Sequence, residues 1–106
     1  MTKLLIVHTI KHMKIEYDPV KNERNIVERA LSFDRVVKFD FVTALYVIDD
    51  RRDYGETRYR SLGYIENRLY ALVFVEIQDG IRVISFRKAN QREIQFYEKA
   101  TGSRAE

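Results

Sequence analysis

Between residues 82 and 92 the chain places Arg82, Arg87, Lys88 and Arg92 with no acidic residue among them, and Tyr97 follows a turn and a half later. The surrounding segment, RVISFRKANQREIQFYEK at 82–99, begins with the β-branched and aromatic content of a strand and ends with the spacing of a helix. Guanidinium groups hold phosphate oxygens through paired hydrogen bonds, and a helix N-terminus adds partial positive charge at the same corner. Cutting RNA without a metal requires that a 2′-hydroxyl lose its proton and that the growing phosphorane charge be stabilised. Arginines beside a tyrosine or a glutamate supply both. On an uninterrupted strand Arg82, Ile84 and Phe86 share one face, and Val83, Ser85 and Arg87 the other. Arg82 and Arg87 then act together only if the strand ends before residue 87. On the helix, Glu93 aligns with Tyr97 and Arg92 with Phe96, each pair four residues apart. A basic rim is also what an ordinary solvated surface presents, and the residues alone leave both readings open.

Other chemistries find less support. His8 and His12 have ligand spacing only in a helix, and LLIVHTIKHMKI reads as a strand with no third ligand nearby. Asp49, Asp50, Asp53 and Glu56 could hold a hard cation. Arg51 and Arg52 lie among them, so a solvated, salt-bridged loop is the better reading. There is no cysteine, no G-x-S-x-G and no glycine-rich phosphate loop. No metal or other cofactor is expected.

These residues must be placed by a chain of 106 residues, enough for one domain. Hydrophobic residues make up 45% and the formal net charge is +3. The absence of cysteine suits the cytoplasm. The apolar run at 4–7 is too short for a signal-peptide core, and no stretch has the length of a membrane span. DPVKNERNIVERA at 18–30 carries a helix start in Asp18 and Pro19, with Val20, Val27 and Leu31 near one face. A second short helix is expected over 32–39 behind Ser32. The period then changes to that of strands at 44–49, 58–65, 68–77 and 81–87, with turns at 66–67 and 78–80. A closing helix covers 90–100, with Asn90 and Glu93 in capping-box register. A first strand is expected at 15–17, with part of 3–10 a further candidate. The order β-α-α-β-β-β-β-α predicts an α+β fold.

Three segments in order carry a family resemblance: EYDPVKNERN at 16–25, GETRYRSLG at 55–63 and RVISFRKANQREIQFYE at 82–98. Together they resemble the BrnT toxins of bacterial type II toxin–antitoxin modules, over about residues 15–99. The resemblance implies a RelE-like antiparallel sheet of four to five strands with two N-terminal helices and one C-terminal helix. It implies a metal-independent endoribonuclease that blocks translation. Its partner would be a BrnA-like ribbon-helix-helix antitoxin, through which alone it would meet operator DNA. The motif positions fall on Glu56, Arg58, Arg82, Ser85, Arg87, Lys88, Glu93 and Tyr97. Arg58, Arg82, Arg87, Tyr97 and Glu56 are then the candidate catalytic residues, and Lys88, Arg92 and Ser85 the candidate RNA contacts. Glu93 also completes the helix cap, Ser85 also suits packing beside Val83, and Glu56 also suits pairing with Arg58.

Two departures bear on function. Glu28-Arg29-Ala30 stands where the family commonly has K-H-G, so a family histidine is missing, and Tyr17 replaces a tryptophan. An inactive relative serving as co-repressor, or an RNA-binding module with no antitoxin, therefore remain alternatives. Residues 1–106 are read as one domain. Residues 1–12 precede the family-like segment and are expected to be dispensable, with Met13 resembling a family start.

Overall fold

The computed structural model describes residues 13–102. The possible strand residues 3–10, His8 and His12 lie outside them. The elements are β1 (Lys14–Tyr17), α1 (Pro19–Arg29), a 3₁₀ turn (Phe33–Lys38), β2 (Leu45–Ile48), β3 (Tyr59–Ile65), β4 (Arg68–Ile77), β5 (Gly80–Lys88) and α2 (Gln91–Thr101). The α+β class is as expected, and among the described residues no helix is long and apolar enough to cross a membrane.

The five strands form one sheet in the order β1-β5-β4-β3-β2. β2 to β5 are an antiparallel meander. The sheet is nevertheless mixed, not antiparallel, because β1 runs parallel to β5. A parallel pair cannot be joined by a tight turn, and here the whole run from α1 to β4 separates the two strands. Their approach is close. A Cβ on Gly80 would overlap the Lys14 carbonyl, while the Lys14 N–H donates to the Asp79 carbonyl at 2.8 Å. The left-handed turn residue is Asp79, with φ of 65°. Gly80 is already a strand residue whose missing side chain admits β1.

One face of the sheet carries the main core. Leu72, Phe74, Ile81, Val83 and Phe86 pack there against Phe33, Val36, Phe39 and Phe41. The second expected helix is a 3₁₀ turn, N-capped by Ser32 accepting from the Asp34 N–H at 3.1 Å. Residues three apart eclipse in that geometry, which sends both Phe33 and Val36 inward.

α1 begins as its sequence indicates, with Asp18 accepting from the Val20 N–H at 2.9 Å and Pro19 in the first position. Its burial is the reverse of its apolar spacing. Val20 and Val27 are 65% and 81% exposed, while Asn22 and Asn25 are buried. The cause is the edge of β5. β1 stops opposite Val83, whereas β5 runs on to Lys88, leaving a carbonyl edge that needs donors. Asn25 Nδ2 donates to the Phe86 carbonyl at 3.0 Å and to the Leu31 carbonyl at 2.9 Å. Asn22 Oδ1 accepts from the Phe33 N–H at 2.7 Å. The helix is thus attached by hydrogen bonds that lock the 3₁₀ turn to the sheet. It ends at Ala30, a non-glycine residue held left-handed with φ of 53°.

The other face is covered only in part. α2 lays Tyr97 and Ile94 over Leu69, Ala89, Leu62 and Tyr64, its start fixed by the reciprocal Asn90–Glu93 capping box.

Asn25→Ala leaves two buried carbonyls without donors and should lower stability by about 2–3 kcal/mol. Ala30→Gly relieves the left-handed strain and should raise it by about 0.5–1 kcal/mol. Urea unfolding of both variants beside the parent checks the opposite signs.

Candidate functional site: an arginine-lined cleft on the open sheet face

Arg82 and Arg87 are five residues apart, an odd separation that regular alternation sends to opposite faces. A bulge in β5 removes the conflict. Val73 pairs with Ser85 and Phe74 with Val83, leaving Ile84 without a partner on β4. Val83 and Phe86 therefore both enter the core, and Arg82, Ser85 and Arg87 all stand on the open face. The grouping of Ser85 with Val83 expected from strict alternation is corrected here: they point to opposite sides.

Two ion-pair clusters organise that face. Glu56 receives Arg58 Nε at 3.1 Å on one oxygen and Arg82 Nη2 on the other. The Arg82 bond first, and then the Arg58 bond, hold its carboxyl below the ordinary glutamate range. The expected pairing of Glu56 with Arg58 is present, with Arg82 added from β5. Farther along, Arg87 grips Glu93 with both nitrogens, at 2.8 and 2.9 Å. That bond holds the Glu93 carboxyl below its ordinary value against the opposing effect of burial. Glu93 Oε1 also accepts from the Asn90 N–H at 2.9 Å, so one carboxylate caps α2 and anchors Arg87.

The acidic loop forms a third unit. Asp49 accepts from Arg51 Nε and Nη2, both at 2.7 Å, and from the Tyr54 hydroxyl at 3.2 Å. Tyr54 in turn lies under the Arg58 guanidinium, 4.1 Å from its ring centroid. Asp53 accepts from the Gly55 N–H at 3.0 Å. These acids are committed to arginines, a phenol and the backbone, and among the described residues no three His, Asp or Glu side chains gather as a metal site.

Between these units lies a cleft of about 470 Å³. It is lined by Arg51, Arg58, Arg60 and Arg87, by the apolar Val47, Val73 and Ile84, and by Phe96. Arg60 sits in the cross-strand row Val47–Arg60–Val73–Ser85. It forms no ion pair among the described residues, whereas Arg51, Arg58 and Arg87 each hold a carboxylate.

The structure thus brings together Glu56, Arg58 and Arg82, and sets Ser85 and Arg87 on the same face. Lys88 and Arg92 are exposed and do not line the cleft. Tyr97 lies elsewhere: it is 3% exposed, in edge contact with Tyr64, and donates its hydroxyl to the Thr43 carbonyl at 2.8 Å. The alignment of Glu93 with Tyr97 expected along α2 therefore does not produce a shared surface. Arg29, at the missing histidine's position, donates to Asn25 Oδ1 at 2.8 Å and does not line the cleft. Arg60 and Phe96 were missed as site residues. Arg60 had a signal, since it shares a strand face with Arg58. Phe96 had only its spacing from Arg92.

Fold and site together define a small α+β protein with an open, arginine-walled sheet face. The profile of the family described as ribonuclease toxin, BrnT, of type II toxin–antitoxin system matches residues 17–93, and the chain belongs to that family. No curated protein matches the sequence significantly. Membership makes RNA the substrate class and an antitoxin the partner.

Glu93→Gln keeps the cap acceptor and removes the charge. Because the folded carboxyl lies below its unfolded value, its contribution is complete above about pH 4.5 and is lost as pH falls through the lower, folded value. The variant should unfold more easily than the parent at pH 7, by about 1 kcal/mol or less. The two melting temperatures should converge as pH drops below about 4.

Proposed function

We propose that this chain is an endoribonuclease toxin that cuts RNA on the open sheet face by attack of an internal 2′-hydroxyl, with arginines in place of a metal. The observation that carries this reading is the Glu56–Arg58–Arg82 cluster beside the unpaired Arg60. Arg60 forms no ion pair among the described residues, its charge only helping to lower the Glu93 carboxyl from a distance, and so offers its guanidinium to an incoming phosphate. Arg58 and Arg82 share a single carboxylate, so each keeps hydrogen-bonding capacity for phosphate oxygens. As they turn toward the phosphate, Glu56 loses the bonds that lower its pKa and becomes a better proton acceptor for the 2′-hydroxyl. The 2′-oxygen bonds to phosphorus as the P–O5′ bond breaks, and the departing 5′-oxygen takes a proton from water, giving a 2′,3′-cyclic phosphate and a 5′-hydroxyl. Arg87, held by Glu93, and Ser85 border the same path.

Tyr97 in this scheme fixes α2 through Thr43, and Lys88 and Arg92 add outer positive charge that draws RNA in. Cleavage of messenger RNA would block translation in the cytoplasm. The partner antitoxin would be a BrnA-like ribbon-helix-helix protein that alone contacts operator DNA, a reading supported by the family match. We read residues 1–106 as a single domain, with 1–12 an extension outside the family core.

The purified chain should cut single-stranded RNA in EDTA and leave cyclic phosphate ends. Arg82→Ala and Arg58→Ala should each slow single-turnover cleavage about a hundredfold, the size of losing one transition-state donor, and Glu56→Gln should act similarly. Activity lost in EDTA and restored by a divalent ion would overturn the metal-free reading. Intact RNA at confirmed folding and antitoxin binding would mark the chain as a co-repressor.

A further inference from the structure

α2 turns Ile94 and Tyr97 into the second core, and Glu93 toward Arg87. Phe96, one turn beyond Glu93, is 59% exposed and lines the cleft. An aromatic ring left largely exposed beside a cleft needs an account. The helix does not present an apolar seam for a partner helix, because the exposed residues around Phe96 are Arg92, Gln95, Lys99 and the small Ala100. Phe96 shares the cleft lining with two kinds of residue: the apolar Val47, Val73 and Ile84, and the cationic Arg58, Arg60 and Arg87. A nucleotide has the two matching parts, a flat apolar base joined to an anionic phosphate. Single-stranded nucleic acids are commonly held by aromatic rings that stack on bases above a basic groove.

We propose that Phe96 is a stacking platform for a nucleobase adjoining the scissile phosphate, and so a substrate-binding residue of this chain. The proposal rests on the ribonuclease reading above and adds to it where the base, as opposed to the phosphate, is held. Arg60 and Arg87 would take the flanking phosphates while the ring takes the base. The cleft volume of about 470 Å³ is within the usual range for a bound small ligand.

The test uses the full chain and a fluorescein-labelled pool of random 12-nucleotide RNA, 2′-O-methylated throughout so that it cannot be cut. Binding is read by fluorescence anisotropy. Phe96→Ala should weaken binding about tenfold or more, the scale of one lost base stack, with an unchanged melting temperature. Phe96→Trp should bind as tightly as the parent or tighter. Phe96→Leu, which keeps apolar bulk without a π face, should fail as the alanine variant does. On a cleavable RNA of the same length, Phe96→Ala should raise KM and leave kcat within about twofold, since the ring touches no reacting atom. Parent-level binding by Phe96→Ala, or rescue by leucine, overturns the stacking role and leaves the ribonuclease reading standing. A parent chain that neither binds nor cuts RNA overturns both. Loss of antitoxin binding by Phe96→Ala with RNA affinity intact overturns the proposal in favour of a protein contact.

Discussion

The parity of β5 is the constraint on which the site depends. Its inward residues are Ile81, Val83 and Phe86, and regular alternation cannot place all three in one core. Ile84, unpaired opposite Val73, absorbs the extra step. One inserted residue therefore satisfies the core and the site together: Phe86 is fully buried, and Arg82 and Arg87 come to the same side. Without that shift, Arg87 would compete for the space of Phe86, and burying an unpaired guanidinium costs far more than a local irregularity in the ladder.

The rest of the architecture keeps one face of this strand sealed and the other open. β1 covers only the first half of the β5 edge, through the parallel pairing that Gly80 allows. Asn25 supplies the donor where β1 has ended. The buried asparagines of α1 thus do the work a longer strand would have done, and the valines of the helix are left facing outward. On the open face, α2 covers one end alone. Its cap residue Glu93 fixes Arg87, so the helix start and the cleft wall are held by a single carboxylate.

Much of this was legible in the sequence because it depends on neighbours. The Asn90–Glu93 box, the Asp18-Pro19 start and the meander strands each need only a few adjacent residues, and all are present. The features that were not legible depend on distant ones. The parallel pairing of β1 joins residues 14–17 to 80–83. Asn25 is buried because of a carbonyl 61 residues away, and its helix therefore disobeys its own apolar spacing. Tyr97 stands in register with Glu93 along α2, but its hydroxyl is claimed by the Thr43 carbonyl, 54 residues back. The bulge is a property of two strands and leaves no mark on one. Once it is in place, Glu56 and Arg58, paired as site residues by the family resemblance, meet Arg82 across the open face.

The central claim is that RNA lands on this open face, and the arginine side chains report it directly. The Nε–Hε resonances of the chain, recorded while uncleavable 2′-O-methyl RNA is added, distinguish the two sides of the sheet. The account predicts shifts at Arg58, Arg60, Arg82 and Arg87. It predicts none at Arg24 on α1 or at Arg35 on the 3₁₀ turn, which packs against the opposite face. Shifts confined to Arg24 and Arg35, with those four arginines unmoved, would contradict it.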